Sequence, residues 1–185
     1  MEQTNPFLNF IPPQYIDALL KLHKVLEGIN TDWALSGDIG EALKAVRVEP
    51  DCIEIATSRD GARQIHLAVE EFCPNQLEHL IQRLPRDALI KGKEYPVYIR
   101  SYNFDFYIDS IKVKVYGDMQ FKINDWAWGD TFEFDPVTVY VVNRKTFLVP
   151  LSVKYKIYQQ LGWNDRAEKI NWVISNQQRL LRRRF

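Results

Sequence analysis

Apolar residues recur along the chain with two periods, and the switches between them mark out the elements. In residues 13–26, Ile16, Leu19, Leu20, His23 and Leu26 fall on one helical face, Pro13 suits the first turn, and Gly28 and Asn30 end the helix. Residues 33–35 form a short strand, and Ser36 and Gly37 a tight turn. Ile39, Ala42, Leu43 and Val46 then recur at i, i+3, i+4 and i+7 as the buried stripe of a helix. Asp38 stands in the first turn of that helix, where the dipole favours a carboxylate. Pro50 breaks the link to a second strand. There Ile53 and Ile55 turn inward, which sends Cys52 and Glu54 to the opposite face and Asp51 away from them.

Residues 58–60 end this strand and cap a helix whose buried stripe is Ile65, Ala68, Val69 and Phe72, stopped by Pro74. Residues 76–84 read as another short helix, with Leu77, Leu80, Ile81 and Leu84 on one face. The middle has period-2 character: VYIRSY, FDFYID and IKVKVYGD are strands, with a hairpin turn at Asp109 and Ser110. A long loop, NDWAWGDTFEFDP, follows. Its Trp126, Trp128, Phe132 and Phe134 either cover the sheet as a lid or partner surface or fold back onto the core. TVYVVN and residues 146–149 are further strands. Residues 151–161 form a helix with Leu151, Tyr155 and Tyr158 inward, ended by Gly162. A last helix, capped by Asn164 or Asp165, puts Ala167, Ile170, Ile174 and Leu181 on one face.

Helices near both ends thus bracket a mixed sheet. The expected class is α+β (α/β-like), a mixed β-sheet flanked by helices with a C-terminal helical pair in residues 151–185. The length predicts one domain over residues 1–185. Residues 1–12 form an irregular surface arm pinned by Phe7, Leu8 and Phe10.

With 46% hydrophobic residues the chain can build a sizeable core, and its 24 Lys+Arg balance 24 Asp+Glu, so no overall field draws nucleic acid. Locally, Arg179, Arg182, Arg183 and Arg184 offer a basic end that either contacts phosphates or serves as a solvated helix terminus. Two cysteines make no disulfide framework. With no signal peptide or membrane span in view, a cytoplasmic protein with no membrane partner is expected. His23 reads as a core-edge histidine, His66 and His79 as surface residues on helices.

Four blocks, in order, resemble the nucleotidyltransferase fold over about residues 14–175: ALSGDIGEAL, DCIEIAT, IDSIKVKVYGD and FLVPLSVKYKIYQQLGWNDRAEKI. They are similar to that family's strand, glycine turn and helix; its Asp-x-Asp strand; its hairpin carrying a third carboxylate; and its short strand followed by two helices. The likeness is to small stand-alone members without an assigned role. The resemblance implies a site at Ser36, Gly37, Asp38, Cys52, Glu54 and Lys114. In active relatives three carboxylates hold two divalent ions that clamp a nucleotide triphosphate, and the glycine turn approaches its phosphates.

Here those carboxylate positions fall on Cys52, Glu54 and Lys114, and Asp38 adds an acid beside the expected phosphate. Their formal charges sum to roughly zero instead of minus three. Magnesium prefers oxygen ligands, and Cys52 offers a neutral thiol. No resident metal or cofactor is therefore expected; magnesium and a nucleotide triphosphate enter only if the protein is active. A bulge at Asp51 is the one route to another acid on that face. Glu54 is the candidate catalytic residue if any is, a Glu54–Lys114 ion pair the bland alternative. The Cys52 thiol beside the Lys114 cation would be reactive, although no histidine is placed to make a thiol enzyme.

The expected function is a nucleotidyltransferase-like protein with a degenerate metal site, a non-catalytic nucleotide- or partner-binding or regulatory module. The alternatives are an active nucleotidyltransferase acting on a small molecule, RNA or protein, and a nucleic-acid-binding accessory.

Overall fold

A computed structural model describes the backbone of residues 5–182 and the side chains of residues 5–176. Its centre is a seven-stranded mixed sheet. In chain order the strands are β1 (Trp33–Ser36), β2 (Ile53–Thr57), β3 (Glu78–Arg83), the two-stranded hairpin β4 (Ala88–Ile90) and β5 (Lys93–Tyr95), β6 (Val97–Ile108), β7 (Ile111–Ile123), β8 (Val137–Val141) and β9 (Arg144–Leu148). The sheet runs β3-β6-β7-β2-β1-β9-β8, with β4 and β5 set apart. β2 lies parallel to β7 and antiparallel to β1, which puts the ends of β1, β2 and β7 side by side.

Three helices cover one face: α1 (Pro13–Val25), α2 (Gly37–Ala42) and α3 (Arg59–Val69). Leu35, Ile53, Ile55, Phe106, Val113 and Val115 point into this layer and are fully buried. Ser58 caps α3 by accepting from the Gly61 N–H at 3.0 Å, as the sequence predicts. The buried stripe of α1 is Tyr15, Ala18, Leu19 and Leu22, so Leu20 and His23 sit at its edge. The His23 imidazole bonds Thr146 at 2.8 Å and tilts onto Trp33 at 5.5 Å. The other sheet face carries Ala34, Ala56, Ile99, Met119 and Val149. Around its rim pack the expected C-terminal pair, α4 (Leu151–Gln160) and α5 (Asn164–Arg182), which bury Leu151, Tyr158, Ala167, Ile170 and Val173.

Four expectations need correction. Residues 76–84 are not a helix: β3 pairs antiparallel with β6 from Glu78↔Asn103 to Arg83↔Tyr98. A short apolar run fits either period, and the open edge of β6 decides. His79 consequently lies on a strand, stacked on Tyr102 at 4.5 Å. Ala68 is exposed, and Phe72 is 46% exposed because α3 ends at Val69; Ile174 is 39% exposed while Val173 takes its inward place. The described part of the arm, residues 5–12, is pinned at Phe7 as expected but sits deeper than a surface arm. Asn5 donates from its side chain to the Leu43 carbonyl and from its backbone to Tyr140 on β8, and Phe7 and Ile11 are buried. Leu181 and the side chains of Arg179, Arg182, Arg183 and Arg184 lie outside the described side chains.

VYIRSY and FDFYID form one strand, and β7 runs to Ile123. The pairing of the two is interrupted by one bulge. Arg100 pairs with Gln120 and Tyr102 with Gly117, so Asp118 and Met119 together face the single residue Ser101. Asp118 takes φ +50°. Lys112, Lys114 and Tyr116 point to one face before the bulge, and Met119 and Phe121 join them after it.

Candidate functional site

The face opposite α1–α3 holds a cleft of about 510 Å³, closed on one side by α4 and the start of α5. Ser36, Gly37, Asp38, Cys52, Glu54 and Lys114 all line it. The register brings them together: Ser36 lies opposite Glu54, and Glu54 opposite Lys114. Gly37 takes φ +57°, and a methyl group there would stand 2.5 Å from Glu54 Oε2. The left-handed backbone favours glycine at the turn, and any side chain there would have to displace the Glu54 carboxyl.

Glu54 receives little compensation. Ser36 Oγ donates to it at 3.5 Å and Cys52 Sγ at 3.9 Å. Burial pushes its carboxyl above the ordinary range, and the charges of Lys154 and Lys114 only partly offset this. The expected Glu54–Lys114 ion pair is not among the ion pairs of the described residues. Nor is Cys52 activated: burial, a hydrogen bond to Asp51 and the charge of Glu54 push its thiol up to about 12, against the weaker opposing pull of Lys114. Asp51 lines the same cleft after all. Regular alternation begins only at Ile53, so strand parity does not bind the bend before it.

A second set of charges, beneath α2, was not foreseen. Glu41 is 1% exposed and Lys154 6%. Lys154 Nζ donates to Glu41 Oε1 at 2.8 Å and to the Gly37 carbonyl at 2.6 Å; Tyr158 Oη donates to Glu41 Oε1 at 2.5 Å. Burial opposes ionisation of Glu41, but Lys154, Arg166 and these bonds outweigh it and hold its carboxyl below the ordinary value. Arg166 pairs with Asp38, tying α5 to the first turn of α2. One signal was available: Lys154 falls three residues after Leu151 and four before Tyr158, on the stripe already read as buried.

Leu84, Ile99, Met119, Phe121 and Phe132 form an apolar wall of the cleft, and Gln82, Arg83, Arg86 and Arg166 line it as polar and charged groups. Phe132 and Phe134 fold back onto the sheet, Phe132 through an N–H bond to the Met119 carbonyl at 2.7 Å. Trp128 is held between Arg100 at 4.7 Å and Lys122 at 5.1 Å; Trp126 stays 49% exposed. The hairpin β4–β5, unread in the sequence despite the turn residue Gly92, docks at the joint between α4 and α5. Its Leu89 carbonyl abuts Gly162, and Trp163 Nε1 donates to Asp87 at 3.0 Å.

The donors at the three metal positions do not fit paired magnesium ions. One is a neutral thiol, one a carboxyl driven toward protonation, one an ammonium. No group of three His, Cys, Asp or Glu side chains among the described residues is arranged to hold a metal ion. No helix among them is long and apolar enough to cross a membrane.

No protein-family profile matches the chain, and no curated protein matches it. Solved structures do. A candidate nucleotidyltransferase from Thermotoga maritima is 25% identical, matches 90% of this chain and 96% of its own, and gives a TM-score of 0.67. The antibiotic-resistance factor ANT(2″)-Ia, solved with adenylyl-2″-tobramycin, is 7% identical over 89% of this chain and 90% of its own, TM-score 0.49. The lincosamide antibiotic adenylyltransferase LnuA, bound to lincomycin, is 8% identical over 85% and 96%, TM-score 0.48. The Thermotoga match bears out the resemblance read from the four blocks: the fold is nucleotidyltransferase-like and α+β.

Proposed function

We propose that this nucleotidyltransferase-like protein binds a nucleotide or a similar anionic, ring-bearing small molecule in the cleft and works as a binding or regulatory module. The reading rests on the floor of the cleft. Where a two-cation transferase needs three anions, this chain has Cys52, Glu54 and Lys114, and the Lys114 ammonium supplies fixed positive charge in place of captured ions. Arg83, Arg86 and Arg166 line the same cleft and add positive charge to it, each shared with an acid. The wall of Met119, Phe121 and Phe132 suits the flat apolar face of a base.

Calorimetric titration with ATP, GTP and their monophosphates, in magnesium and in EDTA, tests this. Binding is expected to be equal in the two buffers and about tenfold weaker in Lys114→Ala, the scale of one charge-assisted hydrogen bond. Binding that requires magnesium overturns the proposal. So does transfer of labelled nucleotide to any acceptor that is lost in Glu54→Gln, which would make the protein an active transferase.

A further inference from the structure

A second basin of about 330 Å³ lies beside the cleft on the same sheet face, over β3, β6 and β7. The two share Gln82, Lys114 and Tyr116. Neither the sequence pattern nor the resemblance assigns it a role. Its size falls in the range of small-molecule pockets, about 300–1,000 Å³.

Its chemistry differs from that of the cleft. Four carboxamides line it: Asn75, Gln76, Gln82 and Asn103. Asn75 donates to the Asp105 carbonyl at 3.0 Å and to its carboxylate, and Asn103 donates to the Ser101 carbonyl and hydroxyl at 3.3 and 3.2 Å. Their N–H groups are committed, and each keeps a carbonyl oxygen to accept. Gln76 and Gln82 make no side-chain hydrogen bond to a described residue, so each offers both an acceptor and N–H donors. The formal charges of the lining cancel: Glu78 and Asp105 against Lys112 and Lys114, with Lys112 already paired to Asp105. Glu78 and Lys114 oppose one another, so the lining favours neither an anion nor a cation. Groups that donate and accept at once, with no net charge, match this lining.

We infer that the basin is a binding site for a neutral polyhydroxylated molecule, a sugar or polyol, whose hydroxyls bridge the carboxamides of β3 and β6. The inference is independent of the occupant proposed for the deeper cleft. Lys114 at the shared wall would let a molecule in each site influence the other.

The test is a titration of the intact protein, with nitrogen-15 label, against methyl glucoside and myo-inositol, and separately against AMP and a short neutral peptide. The side-chain NH₂ signals of Gln76 and Gln82 are expected to shift saturably with a sugar or polyol, and that of Gln76, which lines the basin and not the cleft, to stay in place with AMP. The exposed double variant Gln76→Ala, Gln82→Ala, read on the remaining side-chain NH₂ signals of Asn75 and Asn103, is expected to weaken the sugar response at least about tenfold, since each lost hydrogen bond costs several-fold. An absence of sugar and polyol shifts, shifts with the peptide instead, or an unchanged response in the double variant each overturn the inference. Failure of nucleotide binding in the cleft leaves these signals unaffected and is read separately.

Discussion

Two glutamates lie on either side of Gly37, and their surroundings drive them in opposite directions. Glu41, on α2, is sealed from solvent yet fully engaged by Lys154 and Tyr158, and its charge is favoured. Glu54, on β2, has only long contacts from a hydroxyl and a thiol, and its charge is disfavoured. Burial alone therefore does not distinguish structural from available acids in this fold. The bonds that remain unmade do: the region beneath α2 is finished, whereas the floor of the cleft leaves a carboxyl and an ammonium able to respond to a ligand.

The largest effect expected from that contrast is on stability. Lys154→Met strands Glu41 in the interior and should cost about 3–5 kcal/mol in urea unfolding. The double variant Glu41→Gln, Lys154→Met should cost much less than the two single changes added together. A loss under about 1 kcal/mol for the single change would mean that Glu41 is not held as described.

Gly37→Ala comes next, at about 2–4 kcal/mol, combining a left-handed alanine with the overlap on Glu54. In a Glu54→Ala background only the backbone cost, about 1 kcal/mol, should remain. An equal cost in both backgrounds would remove the carboxyl from beneath the turn.

Smaller, and opposite in sign for the two acids, are the pH dependences. Glu41 has its folded value lowered, so its contribution is present above the unfolded value of 4.5 and lost as pH falls through the lower folded one. Glu54 has its folded value raised, so its contribution is present below 4.5 and lost as pH rises through the higher folded one. Thermal melts should then show Glu54→Gln gaining on the parent protein from about pH 4.5 upward, and Glu41→Gln losing ground over the range where Glu41 is ionised. Parallel curves for Glu54→Gln and the parent would sink the contrast.

The smallest effect is kinetic. With its thiol pushed up to about 12, Cys52 should resist iodoacetamide at pH 8 in the folded protein and react once it is unfolded, as read by peptide mass. Rapid native labelling would restore the idea of an activated thiol.

Much of this was legible in the sequence because it depends on local periods. The buried apolar positions of α2 and of the turn after it, the inward isoleucines of β2 and the hairpin at Asp109 follow from spacing alone, and the six cleft residues follow from the resemblance of the blocks to the nucleotidyltransferase fold. What was missed depends on distant partners. Residues 78–83 became a strand because β6 needed a neighbour, and Lys154 found its acid 113 positions away. Asp51 escaped the parity rule because it precedes the first paired residue of β2. The absent Glu54–Lys114 pair shows the limit of register: facing positions in a ladder do not oblige side chains to meet.

The irregularity at Asp118 has a bearing on comparison between chains. β7 carries one residue more there than its partner strand can match, and the surplus is parked in a left-handed conformation. A relative lacking that residue would present the same oily wall, with the counterparts of Met119 and Phe121 in unchanged places. A single gap at this point in an alignment therefore says nothing about a different pocket, whereas a β-branched residue at 118 in a chain of full length would signal that the wall has turned inside out.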